Sequence, residues 1–231
     1  MVDFEFRDHY DCNDLLRIVR ILRHPGGCPW DAAQTHESLR RCFLEEACEA
    51  VEAIDNHDMP ALCEELGDVL MQVIFHAQME AEVGGFTMQD VIDGLCRKLV
   101  YRHPHVFSDV KVANSDEVLT NWEALKRQEK AQRSTADAID AVAKTLPALW
   151  RAEKMESKAA KAGFAWPEGS DGALRKLEEE VGELRAAVES GSVDGRHGVR
   201  EEVGDVLFMA AQVAQSHGVD PEAALHAACD K

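Results

Sequence analysis

The 231-residue sequence predicts an all-α protein made of two tandem, four-helix-bundle-like copies of one unit. Three observations carry that expectation. Apolar residues recur at three- and four-residue spacing through most of the chain, the period of an amphipathic helix. No segment shows the alternation of a half-buried strand. A long pattern also comes back once. Leu44-Glu45-Glu46-Ala47-Cys48-Glu49 and Glu64-Glu65-Leu66-Gly67-Asp68 return as Glu179-Glu180-Val181-Gly182-Glu183 and Glu202-Val203-Gly204-Asp205, 134 positions on (45 to 179) and 137 on (65 to 202). Gly27-Cys28-Pro29-Trp30 likewise matches Gly163-Phe164-Ala165-Trp166. So long a period denotes a duplicated domain, not a solenoid. Two helices with apolar inner faces cannot bury them alone, so each copy should hold about four.

Leu15, Leu16, Ile18, Val19 and Leu22 give residues 13–23 helical spacing, with Asn13 as N-cap, and Pro25-Gly26-Gly27 ends the helix. Cys28-Pro29-Trp30-Asp31 is expected as a rigid turn. Thr35 or Ser38 caps the first acidic helix, whose apolar stripe is Leu39, Phe43, Ala47, Ala50, Val51 and Ile54. After a turn at 56–60, the second acidic helix runs from Ala61 to Val83, closed by Gly84-Gly85. Thr87 caps a fourth helix with Val91, Ile92, Leu95 and Leu99, stopped before Arg102-His103-Pro104. Residues 116–132 are helical again, with Trp122 and Leu125 inward. The first domain is thus expected at 8–132, a connection at 133–146 and the second domain at 147–231. Pro147 opens the matching helix of copy two, and Gly163 ends it. Glycines 191, 195 and 198 make the turn between the second pair of acidic helices longer than its counterpart.

Against 25 Lys and Arg stand 43 Asp and Glu, a formal charge of −18. Duplex binding rests on phosphate neutralisation by basic residues, so a nucleic acid is not expected as partner. Phosphate compounds fit only if metal ions or a local basic cluster mediate; otherwise the charge is an acidic, solvated surface. The seven cysteines, at 12, 28, 42, 48, 63, 96 and 229, form no CxxC pair. Several sit at apolar positions, so they read as reduced core residues of a cytosolic protein. The N-terminus is too charged for a signal peptide, and no apolar run approaches a membrane span. The expectation is a cytoplasmic protein without membrane contact.

On a helix, Glu46 and Glu49 are three apart, and Glu45 and Glu49 four apart; Glu65 and Asp68 repeat the first spacing. Like charges stacked this way repel, and a divalent cation is the simplest offset. Glu46, Glu49, Glu65 and Asp68 across a shared groove form a hard, oxygen-only set suited to Mg²⁺ or Mn²⁺, not zinc. Taken singly, each acid is equally a solvated helix face. A di-iron bundle would need Glu-x-x-His, and no Glu in the sequence has His at that offset. Lys98 and Arg102, with Arg97 nearby, either clamp a polyphosphate or are ordinary C-terminal helix cations. Trp30 and Trp122 either stack on a base or pack in the core. Lys126 either meets phosphate or is an exposed helix lysine, and His103 and His105 flank Pro104 and shape a turn.

EExxE followed by ExxD, with Gly-Cys-Pro-Trp-Asp upstream and Lys-Leu-x-x-Arg-His-Pro-His-Val-Phe downstream, resembles the MazG family of nucleoside triphosphate pyrophosphohydrolases over nearly the whole chain. The resemblance implies an all-α NTP pyrophosphatase fold and dimerisation through helices. It also implies Mg²⁺-dependent cleavage of NTPs or dNTPs to monophosphate and pyrophosphate. Attack at the γ-phosphorus is chemically open as well; only the resemblance selects the α-phosphorus. By position it gives metal quartets Glu46, Glu49, Glu65, Asp68 and Glu180, Glu183, Glu202, Asp205. Glu45 and Glu179 are then the residues that orient or deprotonate the attacking water, and Lys98, Arg102, Trp122 and Lys126 face the nucleotide. One departure stands out. With Gly85 set on Gly218, Lys231 falls on Lys98, and copy two lacks an equivalent of Arg102 and the following helix. The competing expectation is a non-catalytic helical module that senses nucleotides or holds a protein partner.

Overall fold

A computed structural model of the chain describes residues 4–129, 134–164, 166 and 169–231. The described residues form twelve α-helices and no strand. They divide into two compact units, residues 1–111 and 112–231.

In the first unit α1 (Cys12–Arg23) begins at Asp11, two residues before the expected cap. The Asp11 carboxylate accepts from the Asn13 and Asp14 amides at 2.7 and 2.9 Å, and Asp14 answers by accepting from the Asp11 amide at 3.1 Å. Three orphan donors are satisfied and a negative charge sits at the positive helix end, which an Asn cap cannot provide. The expected rigid turn at Cys28 is a turn of helix, α2 (Pro29–Ala32), started by its proline. Ahead of it the chain folds back so tightly that a Cβ on Gly27 would lie 2.1 Å from the Ile21 carbonyl oxygen, so only glycine fits. Arg23 locks this corner. It donates to both Glu82 carboxylate oxygens at 3.0 and 2.9 Å and to the Asp31 carbonyl at 2.7 Å.

α3 (His36–Asp55) is capped by Thr35 and Ser38 together, in a reciprocal box. α4 (Met59–Glu82) returns antiparallel to it, so that His36 at one end meets Glu80 at the other, 2.9 Å between Nε2 and Oε1. Val19, Leu39, Ile74, Phe75 and Met79 form the core, with Leu15, Leu16, Cys42, Met71 and Met88 packed around them. α5 (Met88–Arg102), capped by Thr87 as expected, packs on α4 and leads into α6 (Pro104–Phe107).

Two expectations about burial fail here. On α3, Leu39, Ala50 and Ala53 are buried, whereas Val51 and Ile54 are exposed. The buried face spans only the residues turned toward the core, narrower than the apolar stripe. Of the cysteines, Cys12, Cys48, Cys63, Cys96 and Cys229 are exposed and Cys28 and Cys42 half-buried; all seven are free thiols, but only Cys42 packs against the core cluster. Trp30 is 62% exposed, so it does not pack in a core.

In the second unit α7 (Ser115–Glu129) comes first; residues 130–132 of the helix expected there lie outside the described residues. Glu123 of α7 is ion-paired with Lys161 of α9 (Ala148–Lys161). The compact units divide before α7, elsewhere than the expected repeat boundary. The expected connection, whose residue 133 is not described, contains α8 (Thr135–Asp140), which packs on α9 and buries Ala138. α10 (Ser170–Ser190) and α11 (Val199–Ser216) form the second acidic hairpin, and α12 (Pro221–Cys229) packs on α9 and α11. Trp150 Nε1 donates to Asp220, the N-cap of α12, at 3.0 Å, and Trp166 Nε1 to Gln212 at 3.2 Å. Ala165, part of the Gly163–Trp166 correspondence, lies outside the described residues.

The glycine with positive φ after α4 is Gly84 (77°), and after α11 it is Gly218 (69°), so Gly84 and not Gly85 is the partner of Gly218. The link to the next cap, Thr87 or Asp220, is one residue shorter in copy two. Lys231 therefore still falls on Lys98.

Candidate functional site

The first acidic hairpin brings its carboxylates together as the spacing predicts. Glu46 and Glu49 of α3 and Glu65 of α4 each present an oxygen within 4.8 Å of the others. Partial burial pushes the Glu46 carboxyl above its ordinary range, and Asp68, Glu49 and Glu45 add repulsion, against one hydrogen bond from Gln72. Glu65 is raised in the same way, by partial burial and then by Glu49, Asp68, Glu64 and Glu46. Asp68 thus belongs to the cluster electrostatically, although its oxygens are not among the converging three.

The second hairpin repeats the convergence and changes its surroundings. Glu180, Glu202 and Asp205 approach within 4.8 Å, and so do Glu183, His197 and Glu202. Glu202 is 1% exposed and Glu180 is buried, so for these two the solvated-face alternative fails. Glu202 Oε1 lies 3.2 Å from His197 Nδ1, while its Oε2 is enclosed without a hydrogen-bond partner. Lys176, one turn before Glu180, reaches Glu179 Oε1 at 2.8 Å and Glu180 Oε1 at 2.7 Å. Bonds to Glu179 and then Glu180 hold its ammonium well above the usual lysine range. Glu183 and Asp205 are raised by partial burial and then by Glu180 and Glu202, and Lys176 partly offsets that repulsion.

Glu45 and Glu179 stand outside these groups. Glu45 accepts from Arg41 Nε at 2.6 Å, and Glu179 from Lys176. Lys98 and Arg102 lie in the last turns of α5, Lys98 half-buried and Arg102 buried. Trp122 and Lys126 lie on α7 in the second unit, where the Lys126 ammonium sits 4.7 Å above the Trp122 ring centre, a cation–π contact. The sequence reading missed Lys176 and His197. Lys176 was legible as the i−4 neighbour of Glu180. His197, five residues before Glu202 on an irregular turn, carried no periodic signal.

Carboxylate oxygens alone face one another in the first hairpin, and a hard dication satisfies such a set. The orphaned Glu202 oxygen makes the same demand in the second, because a buried carboxylate without a partner is costly. Both clusters have a donor set that can hold a metal ion. Residues 34–107 and 169–231, which contain one acidic hairpin each, match the MazG nucleotide pyrophosphohydrolase domain. The chain belongs to the MazG family.

By family it is a hydrolase of nucleotides. The chain is 41% identical over 218 residues to the nucleoside triphosphate pyrophosphohydrolase/pyrophosphatase MazG of Thermotoga maritima, covering 94% of this chain and 81% of that one. To the nucleoside triphosphate pyrophosphohydrolase of Escherichia coli it is 40% identical, covering 94% and 82%. The uncharacterized protein YabN of Bacillus subtilis is 45% identical over 223 residues, 96% of this chain; the chain spans only 45% of that protein. No helix among the described residues of this MazG protein is long and apolar enough to cross a membrane.

Proposed function

We propose that this MazG protein hydrolyses nucleoside triphosphates, NTP or dNTP, to the monophosphate and pyrophosphate, with Mg²⁺ as cofactor and Mn²⁺ as substitute. The observation that carries the reading is the convergence of Glu46, Glu49 and Glu65, which repel one another unless a cation joins them. Glu46, Glu49, Glu65 and Asp68 would hold the ion in copy one, and Glu180, Glu183, Glu202 and Asp205 in copy two. Bound Mg²⁺ supplies neutralisation of the triphosphate and a more acidic water. Glu45, and Glu179 in copy two, orient the attacking water and take its proton. The new bond forms between the water oxygen and the α-phosphorus, the bond from that phosphorus to the bridging oxygen breaks, and pyrophosphate leaves with the electron pair. Lys98, Arg102, Trp122 and Lys126 keep the substrate-binding role that the resemblance gives them, with Lys98 and Arg102 suited to phosphate by their charge. Catalysis of this kind is mostly positioning and charge stabilisation.

Repeat boundaries at 8–132 and 147–231, a homodimer, a cytoplasmic location and a nucleotide-pool or house-cleaning role complete the proposal. Exposed Leu44, Val51, Ile54 and Leu66 on the first hairpin support association through helices. The test is incubation of the purified protein with each NTP and dNTP and Mg²⁺. The expected product is pyrophosphate. Release of orthophosphate alone rejects α-attack, and no release with any nucleotide favours the non-catalytic binding module.

A further inference from the structure

The His197 turn gives copy two a ligand type that copy one lacks. We propose that His197, joined to Glu183 and Glu202 of the copy-two quartet, makes that site accept a divalent transition ion of the zinc class in preference to magnesium, whereas the all-carboxylate set of copy one prefers magnesium. The proposal rests on the reading of the acidic hairpins as cation sites and adds a difference in metal class between them. Three observations carry it. One donor atom from each of the three residues lies within 4.8 Å of the others, the convergence that copy one achieves with Glu46, Glu49 and Glu65. Glu202 is 1% exposed and its Oε2 has no hydrogen-bond partner, so this buried carboxylate, whose Oε1 lies against His197, keeps an acceptor without a counterpart. Lys176 already neutralises much of the neighbouring Glu180 and Glu179. Of the carboxylates left, Glu183 and Glu202 are the two that converge with His197, and they balance one dication when the ligand imidazole is neutral; Asp205 converges with Glu180 and Glu202 instead.

Imidazole nitrogen with two carboxylates suits zinc and its neighbours in the first transition row, while magnesium favours oxygen alone. His197 and Glu183 are exposed side chains on a turn and a helix face. They are therefore free to close on an ion while Glu202 stays fixed.

The experiment uses the full chain with Zn²⁺ as probe and Mg²⁺ as control. It follows the histidine ring nitrogens by NMR and the binding heat by calorimetry. The variant is His197→Asn, because asparagine tolerates the left-handed backbone that His197 adopts at φ 58°. The ring signals absent from H197N identify His197. Zn²⁺ is expected to give those signals the large shift of a ligated ring nitrogen, which Mg²⁺ does not produce. H197N should weaken one Zn²⁺ event by about tenfold or more, with Mg²⁺ affinity and the metal-free melting temperature unchanged, whereas E183Q, which removes a carboxylate open to both ions, should weaken both. A His197 ring that Zn²⁺ does not move overturns the proposal. So does Zn²⁺ binding that is as tight in H197N and shifts only cysteine signals. A His197 shift in a protein that releases no pyrophosphate supports this site and rejects the hydrolysis alone.

Discussion

In the first hairpin Glu46 and Glu65 are surrounded by acids and one amide; in the second, Lys176 reaches into the cluster and His197 lies against it. The spacing of the acids is the same in both. The neighbours differ: with α3 and α10 aligned on their acidic residues, the position of Lys176 is held by Cys42, half-buried against the core. The second hairpin is also built on a shorter helix, 18 residues in α11 against 24 in α4. One pattern of charge therefore meets different neighbours: among the described residues, acids face one another without a cation side chain in the first cluster, and an internal ammonium offsets part of the repulsion in the second. A duplicated motif can keep its acids and still change how strongly it calls for metal.

The sharpest way to break this contrast is to remove one ligand from each copy. Glu49→Ala is expected to lower pyrophosphate release by about 100-fold or more, and Glu183→Ala by much less. Equal losses, or the larger loss in Glu183→Ala, would show that the internal ammonium does not set the two sites apart. Next in size is Lys176→Met, which leaves Glu180 buried and uncompensated. It should destabilise the protein by about 1–3 kcal/mol in chemical denaturation without metal, at the low end because Lys176 is partly exposed. Added Mg²⁺ should recover part of that loss in the variant more than in the parent.

Acidity gives a third handle. Glu46 and Glu65 titrate above the ordinary glutamate value of 4.5 in the folded chain, so the repulsive cost is absent below that value. It sets in as the pH climbs through the raised values. Magnesium removes this cost, so the rise in melting temperature on adding Mg²⁺ should be a few degrees larger at about pH 7 than at about pH 5. An equal rise at both would contradict an ion seated among these carboxylates. The smallest effect expected is that of Arg41→Ala, a pair on the exposed face of α3. It should move the melting temperature by less than about 2 °C while freeing Glu45. A change in turnover in that variant would measure what the orientation of Glu45 contributes.

Helical period and the recurring acids made the hairpins legible, because a helix maps sequence spacing directly onto a face. Thr35, Ser38 and Thr87 were readable as caps by the same local rule. Asp11 was not, since capping depends on which side chain reaches the open amides, and Asp11, Asn13 and Asp14 all had the chemistry. Val51, Ile54 and five of the seven cysteines misled, because apolar character sets what burial favours and not how much face a neighbouring helix covers.

The sequence by itself determined that the chain is helical, that it is duplicated and that each copy carries two acidic helices, because these follow from spacing along one backbone. Only the tertiary structure decided that Glu202 is sealed from solvent, that Lys176 neutralises Glu180 and that His197 joins Glu183. Desolvation and Coulomb interaction depend on distances through space, and a turn such as the one carrying His197 fixes those distances without leaving a period in the chain.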